Sequence, residues 1–188
     1  MFAAPAGPLR CLCRRASHPG VWLAALIILL SCYRFTLIGK GHFYWSDERC
    51  YLPAGKLVDA AIGGDYRAAS EHLFKAPGKV APARPGFVIV SVLPVLGQRL
   101  VGTLAEIDPR TPQYYDVACA FNVLVTLGVT CCLFALGRLW TGSSWFALLI
   151  AVVYSLLCGA NVWIRHLVPY QTSLLFYLLA LWLLSSKQ

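Results

Sequence analysis

Asp47 and Glu48 are adjacent carboxylates in the stretch YWSDERCYLP, shortly after the first apolar run of the chain. Adjacent side chains point about 100° apart on a helix and to opposite faces of a strand, so the two groups are not placed to share one proton. Partial burial among the neighbouring aromatic residues would raise the pKa of a carboxylate by desolvation and make it a stronger base, which suits general-base catalysis. Asp47 is therefore a candidate base, and Glu48 is a candidate for orienting a substrate hydroxyl or for pairing with Arg49 or Arg84.

A structural interpretation competes with this chemical one. Ser46 or Asp47 fits the cap of a helix, where the side chain accepts hydrogen bonds from the first backbone N–H groups, and Glu48 then complements the helix dipole. Two adjacent carboxylates alone do not choose between a cap and a catalytic pair. The choice depends on the elements that surround them.

The composition predicts a membrane protein. The chain has 188 residues, of which 59% are hydrophobic, and its mean hydropathy of +0.65 is too high for an ordinary soluble domain. A membrane-spanning helix needs about 20 predominantly apolar residues. Four apolar runs satisfy or approach this length, namely residues 21–38, 115–139, 145–160 and 172–184.

The net charge of +8 indicates topology and not a nucleic-acid partner, because the basic residues do not cluster on a soluble face with interleaved aromatic residues. Arg10, Arg14 and Arg15 precede the first apolar run, a pattern that keeps residues 1–20 in the cytoplasm. Residues 21–188 then form a single membrane domain. We expect the lipid bilayer, and no nucleic acid, among the partners of this chain.

The eight cysteines do not predict a metal centre. Most of them lie within apolar runs, where cysteine acts as a small hydrophobic residue, and no CxxC pair occurs. Cys11 and Cys13 have no second pair that would complete a tetrahedral site. The cysteines therefore predict no metal ion.

The stretch RRASHPGVWLAALIILLSC loosely fits a lipoprotein signal, with a basic start, an apolar stretch and a cysteine at position 32. Cleavage there would remove the first helix. The apolar character continues through Tyr33, Phe35 and Ile38, as an uncleaved span requires. We expect an uncleaved span in which the long side chain of Arg34 can snorkel to the far interface.

Residues 39–84 form the first loop outside the cytoplasm and hold five of the eight acidic residues. Apolar residues recur at helical spacing over residues 54–62, and Gly63 and Gly64 are a stop signal. Asp65 is placed to cap a second short helix. Two amphipathic helices beside a bilayer are expected to lie on its surface.

The apolar run at residues 86–97 is short for a span and contains Pro94. An extension past Arg99 to residue 105 would make it a full span with a buried arginine, but a segment that lies at the interface is the favoured reading. The turn GRLWTGSS, which bears Arg138, then falls inside, and residues 161–171 fall outside. This topology brings Arg165 and His166 to the same face as the acidic pair.

The surroundings of the acidic pair resemble the polyprenyl-phosphate-sugar-dependent glycosyltransferases of the GT-C fold, such as protein O-mannosyltransferases and lipid A aminoarabinose transferases. The stretch YWSDERCYLPAGKLVDAAIGGDY is similar to the outer loop of that superfamily, with its Asp-Glu pair and juxtamembrane helices. KVAPARPGFVIVSVLPVLG is similar to its proline-containing segment, although Arg84-Pro85-Gly86 stands where two prolines are usual. The resemblance extends from about Val21 to Leu184.

The resemblance implies an all-α, polytopic membrane bundle with about four spanning helices and juxtamembrane helices in the first outer loop. It also implies transfer of a sugar from a polyprenyl-phosphate donor to an acceptor hydroxyl on the outer face. Asp47 would then be the base and Glu48 a positioning group, while Arg84, Arg165 and His166 would offset the charge of the donor phosphate. The lipid-linked sugar is a substrate, and no other cofactor is implied.

The chain departs from the family pattern in two places. Pro169, Tyr170 and Gln171 stand where many relatives carry an acidic residue after the arginine that corresponds to Arg165. The family's enzymes also have more spans, so the chain is expected to be an N-terminal portion or a truncated member, with a second polypeptide as one source of the missing spans. The alternative function is a noncatalytic scaffold or assembly partner derived from such an enzyme.

A transporter is the weaker interpretation, because the ionisable residues gather in an outer loop and not at the middle of facing helices. The expected location is a bacterial inner membrane, with residues 39–84 in the periplasm. An endoplasmic reticulum membrane is the alternative. Neither the sugar nor the acceptor is named by the sequence.

Overall fold

The computed structural model describes residues 18–38, 52–74, 85–105, 116–157, 161 and 170–186. Within these ranges the chain forms seven α-helices and no strand, so the prediction of an all-α fold is confirmed. The helices are α1 (Pro19–Phe35), α2 (Leu52–Ile62), α3 (Tyr66–Phe74), α4 (Pro85–Leu104), α5 (Asp116–Thr141), α6 (Ser144–Leu156) and α7 (Tyr170–Ser185).

The long helix α5 is the centre of the fold. Both α6 and α7 pack along it, and α1 packs against α6 and α5. We call α1, α5, α6 and α7 the bundle. Val123 and Val129 of α5 are fully buried, and Val129 forms an apolar cluster with Leu136 and with Leu178 of α7.

A tight connection joins α5 to α6. The helix α5 continues to Thr141, so Arg138 lies in its last turn and the predicted eight-residue turn is wrong in extent. Gly142 has a φ of 66°, a left-handed conformation that glycine adopts without strain, and the side chain of Ser143 then accepts from Phe146 N at 3.3 Å. Two residues therefore suffice to reverse the chain.

The helices α2, α3 and α4 form a second region, which we call the platform. Gly64 at the end of α2 has a φ of 76°, and the carboxylate of Asp65 accepts from Ala68 N at 2.9 Å, so the two predicted helices and the predicted cap are confirmed. Ala54 and Val58 of α2 form one cluster with α4 and with the first turn of α5.

The helix α4 continues through Arg99 to Leu104 and does not end near residue 97. Pro94 is accommodated inside it. Its contacts with α5 include Gly97 beside Val117 and Val95 in a cluster with Ala118, so α4 meets the beginning of α5. The short apolar run is therefore part of a longer helix, and this helix includes Arg99.

One helix within the described ranges, Asp116–Thr141, is long and apolar enough to cross a membrane by length and composition. Four further apolar helices are shorter, at Pro19–Phe35, Val88–Thr103, Ser144–Leu156 and Tyr170–Ser185. By the same measure, the three other predicted spans are present as apolar helices that fall short of the required length. Several of their large apolar side chains are exposed, among them Leu29, Leu149, Leu156 and Leu184.

Candidate functional site

Five residues were predicted for the site, namely Asp47, Glu48, Arg84, Arg165 and His166. All five lie outside the residues that the structure describes. They belong to three segments of the chain, and the structure describes the residues on either side of each segment. These flanking residues make several contacts at one end of the bundle, and the contacts define a candidate region.

The last turn of α1 supplies the first of these contacts. Arg34 is fully buried, with an exposed fraction of 0%, and its Nε donates to Oδ1 of Asn161 at 3.1 Å. This bond connects α1 to the segment that follows α6. Arg34 was expected to snorkel to the interface, and that expectation is wrong, because the side chain is enclosed and bonded to an amide.

Asn161 is held in turn by the end of α6. Its Nδ2 donates to the carbonyl oxygen of Ser155 at 3.2 Å and to that of Leu157 at 3.3 Å. Both carbonyls belong to the C-terminal end of the helix, which leaves backbone acceptors without intrahelical partners. The amide therefore caps α6 with its nitrogen and presents its oxygen to Arg34.

Tyr154 and Gln171 form a further polar contact at the same end. The hydroxyl of Tyr154 donates to Oε1 of Gln171 at 2.6 Å, and Gln171 is 8% exposed. This contact joins the last turn of α6 to the first turn of α7. Arg34, Asn161, Tyr154 and Gln171 thus form a layer of polar side chains at one end of the bundle, where α1, α6 and α7 meet. We call these four residues the polar layer.

The platform carries a different kind of charge pair. Nη1 of Arg99 donates to Oδ1 of Asp59 at 2.6 Å, and Nη2 donates to the carbonyl oxygen of Gly55 at 3.1 Å. The side chain of Asp59 is 65% exposed. The hydrogen bond from Arg99 and its positive charge hold the pKa of Asp59 below its usual value.

A cleft lies at the opposite end of the bundle. It has a volume of about 430 Å³ and is lined by Phe134, Ala135, Arg138, Leu139 and Trp182. Nearby, Nε1 of Trp140 donates to Ser185 Oγ at 3.3 Å and so joins the C-terminal ends of α5 and α7. An arginine and tryptophans at helix ends are typical of a membrane boundary.

Sequence reasoning missed the layer formed by Arg34, Asn161, Tyr154 and Gln171. One signal pointed to it, since an arginine within an apolar run is by default a candidate functional residue with a partner to be found. The partner is 127 positions away along the chain, so no local pattern could name it. Among the described residues, no group of three His, Cys, Asp or Glu side chains is arranged to hold a metal ion.

Comparison with known proteins gave no match, whether with protein-family models, with curated proteins or with solved structures. The likeness of the outer loop and of the proline-containing segment to GT-C glycosyltransferases therefore stays a prediction. Its support has to come from the chain's own residues.

Proposed function

We propose that the chain is a membrane glycosyltransferase module, which transfers a sugar from a polyprenyl-phosphate donor to an acceptor hydroxyl at the outer face of a bilayer. In this proposal α1, α5, α6 and α7 cross the bilayer, and the platform lies at its outer surface. Exposed leucines on several bundle helices support a lipid environment, since large apolar surfaces are costly in water.

The observation that carries the proposal is the common position of the three flanking segments. Ile38 packs against the apolar cluster that contains Ala54 and Val88, so the chain before and after the acidic pair meets the beginning of α4. Asn161 and Gln171 flank the segment of Arg165 and His166, and they are bonded to the C-terminal ends of α1 and α6. If these segments began at opposite ends of the bundle, the acidic pair and the basic residues could not share one site.

The lengths of the segments favour the same arrangement. Arg84 directly precedes Pro85, the first residue of α4, and Arg165 is four residues from Asn161. Four residues span at most about 14 Å when fully extended. Arg165 is therefore within reach of the end of the bundle at which α1 and α6 meet, and Arg84 adjoins the beginning of α4.

The proposed reaction is a direct displacement at the anomeric carbon. Asp47 takes the proton of the acceptor hydroxyl while its oxygen forms the new bond to the sugar, and the bond between the sugar and the donor phosphate breaks. The configuration at the anomeric carbon is inverted. Glu48 orients the acceptor, and Arg84, Arg165 and His166 offset the charge that remains on the polyprenyl phosphate.

The topology is tested with a membrane-impermeant thiol reagent on a cysteine-free background. Single cysteines are placed at Ser46, Ser143 and Tyr170, because Tyr170 is exposed whereas its neighbour Gln171 is buried. We expect labelling from outside at Ser46 and Tyr170 and none at Ser143. Labelling at Ser46 and Ser143 without Tyr170 would separate Asp47 from Arg165 by a bilayer and would overturn the mechanism.

The chemistry is tested in proteoliposomes with the full chain, a peptide rich in serine and threonine as the acceptor hydroxyl, and two donors, undecaprenyl-phosphate mannose and undecaprenyl-phosphate aminoarabinose. We expect one donor to release undecaprenyl phosphate in the presence of the wild type, and Asp47→Asn to abolish this release. Asp65→Asn is the matched control, because asparagine caps a helix as well as aspartate does. Transfer that is unchanged in Asp47→Asn would exclude this residue as the base. A correctly inserted wild type without any transfer would favour the noncatalytic alternative.

A further inference from the structure

The guanidinium group of Arg34 is incompletely satisfied. Its Nε is bonded to Asn161, but Nη1 and Nη2 are buried and have no hydrogen-bond partner within the part of the chain that the structure describes. The hydroxyl of Ser155 is in the same situation, since its Oγ is buried and makes no hydrogen bond there. Ser155 belongs to the same network, because its carbonyl oxygen accepts from Asn161.

A buried guanidinium of this kind needs an anion. Arginine stays charged in proteins, so it does not escape the cost of burial by losing a proton. Its one described hydrogen-bond partner is a neutral amide, which accepts without supplying a negative charge, and Tyr154, which interacts with Arg34 electrostatically, is a phenol and not a carboxylate. No carboxylate in the described ranges pairs with Arg34, whereas Arg99 and Arg67 each face one.

The position of Arg34 indicates the source of this anion. It lies in the last turn of α1, so an anion reaches it from the end of the bundle without crossing the apolar middle. Exposed apolar side chains surround this level, including Tyr33 and Phe35 of α1 and Leu156 at the end of α6. A charged group and an apolar surface at the same level fit a molecule with a charged head and a hydrocarbon chain.

We propose that Arg34 binds the phosphate group of an anionic lipid through Nη1 and Nη2, with the Ser155 hydroxyl as a further donor. The two nitrogens of a guanidinium present parallel N–H groups that match two oxygens of a phosphate. Asn161 holds the guanidinium through Nε and so leaves this pair of donors free to bind.

The phosphate chemistry is shared by two sources, an isoprenoid phosphate and a glycerophospholipid. The choice of the isoprenoid phosphate rests on the proposed function, because that function requires such a donor. The binding of phosphate by Arg34 does not rest on it. The test therefore uses both lipids.

Binding is measured by native mass spectrometry of the full chain in a neutral detergent, with farnesyl phosphate, phosphatidylglycerol, farnesol and inorganic phosphate as separate probes. We expect the wild type to bind farnesyl phosphate in preference to farnesol, and Arg34→Gln to weaken this binding at least tenfold. Arg34→Lys should give an intermediate loss, because lysine keeps the charge without the paired donors. The matched control is Arg138→Gln, an exposed arginine at the other end of the bundle.

A second variant keeps the proposal testable if Arg34→Gln does not fold. Asn161→Asp has nearly the same shape and places a carboxylate beside Arg34. We expect it to remove the increase in melting temperature that farnesyl phosphate gives to the wild type, because the new carboxylate takes the place of the phosphate. The melting temperature of the lipid-free variant reports the loss of the two hydrogen bonds that Nδ2 donates to α6. A lipid-induced increase that survives Asn161→Asp would contradict an anion site at Arg34.

The remaining outcomes are also decisive. The proposal would be overturned if the wild type and Arg34→Gln bound farnesyl phosphate and phosphatidylglycerol equally well. It would also be overturned if the wild type bound neither of these two lipids. Inorganic phosphate that binds as tightly as the lipids would overturn the assignment to a lipid. If phosphatidylglycerol bound and farnesyl phosphate did not, the anion site at Arg34 would be supported. The polyprenyl-phosphate donor of the proposed function would then be contradicted at this site.

Discussion

The bundle and the platform hold Arg34 and Arg99 in opposite ways. Arg99 of the platform lies at the surface between a carboxylate and a backbone carbonyl, so its charge is compensated by the chain itself. Arg34 of the bundle is enclosed and has only the amide of Asn161 as a described hydrogen-bond partner. Arg99 joins two helices of the platform, whereas Arg34 keeps two nitrogens without a hydrogen-bond partner in the described chain.

The bundle is also more closely packed than the platform at the two glycines that can be compared. A Cβ at Gly137 of α5 would lie 3.1 Å from Ala147 Cα of α6, so these two helices approach each other closely. A Cβ at Gly55 of α2 would meet nothing within 4 Å. The bundle is therefore closely packed where α5 meets α6, whereas the platform has room at Gly55. Changes in the bundle should cost more than equivalent changes in the platform.

The largest effect is expected for Asn161→Leu. This change removes the acceptor for Nε of Arg34 and leaves a buried, charged guanidinium without any described hydrogen-bond partner, at a cost of about 3 kcal/mol in the free energy of unfolding. The measurement is reversible unfolding of the full chain in mixed micelles. Adding Arg34→Leu to Asn161→Leu should recover part of the loss, because both polar groups are then gone. Strictly additive losses would show that the two side chains are not coupled.

Gly137→Leu should have the next largest effect. The new side chain has no space between α5 and α6, so the helices must separate, and we expect a loss of about 1–3 kcal/mol in the same unfolding assay. Gly55→Ala is the matched control in the platform, where alanine should add about 0.5–1 kcal/mol because it restricts the unfolded chain. A gain in stability from Gly137→Leu would contradict the close approach of these helices.

A smaller effect is expected for Asp59→Asn. The ion pair with Arg99 is largely exposed, and such pairs contribute at most about 0.5 kcal/mol after screening by solvent. The loss should shrink further as the salt concentration rises from 0.05 to about 1 M, since the Debye length falls. A loss as large as that of Asn161→Leu would abolish the contrast between the two arginines.

The smallest effect concerns pH. The pKa of Asp59 is lower in the folded chain than in the unfolded chain, so the pair stabilises the fold at neutral pH, above the unfolded pKa of about 4. This contribution is lost as the pH falls from about 4 through the lower folded pKa. Unfolding measured at pH 7 and pH 3 should therefore show a slightly smaller loss of stability for Asp59→Asn than for the wild type. An identical pH dependence would exclude the pair as a contributor.

Local signals predicted much of the fold. The apolar runs gave α1, α5, α6 and α7, and the Gly63-Gly64 stop with the Asp65 cap gave α2 and α3, because these signals act within a few residues of the element that they end or begin. The continuation of α4 through Arg99 was not favoured. Its explanation is Asp59, forty positions earlier, and pairing over that distance leaves no periodic trace in the sequence.

The candidate site divides in the same way. The acidic pair and the three basic residues were chosen by resemblance and lie outside the described chain, so their roles stay predictions. The polar layer at Arg34 was not predicted as a site, although its arginine was noticed. Burial depends on which distant segments cover a side chain, and hydropathy along the sequence does not report this. The anion site at Arg34 could be inferred only after Asn161 had been placed beside it.

The bond between Arg34 and Asn161 also has a consequence for how the protein is made. A ribosome adds 127 residues after Arg34 before Asn161 is complete. At elongation rates of about 5–20 residues per second, this interval lasts roughly 6–25 s. During that time the arginine of the newly made α1 lacks the amide that will hold it, so this bond between α1 and the chain after α6 forms only after α5 and α6 have been made.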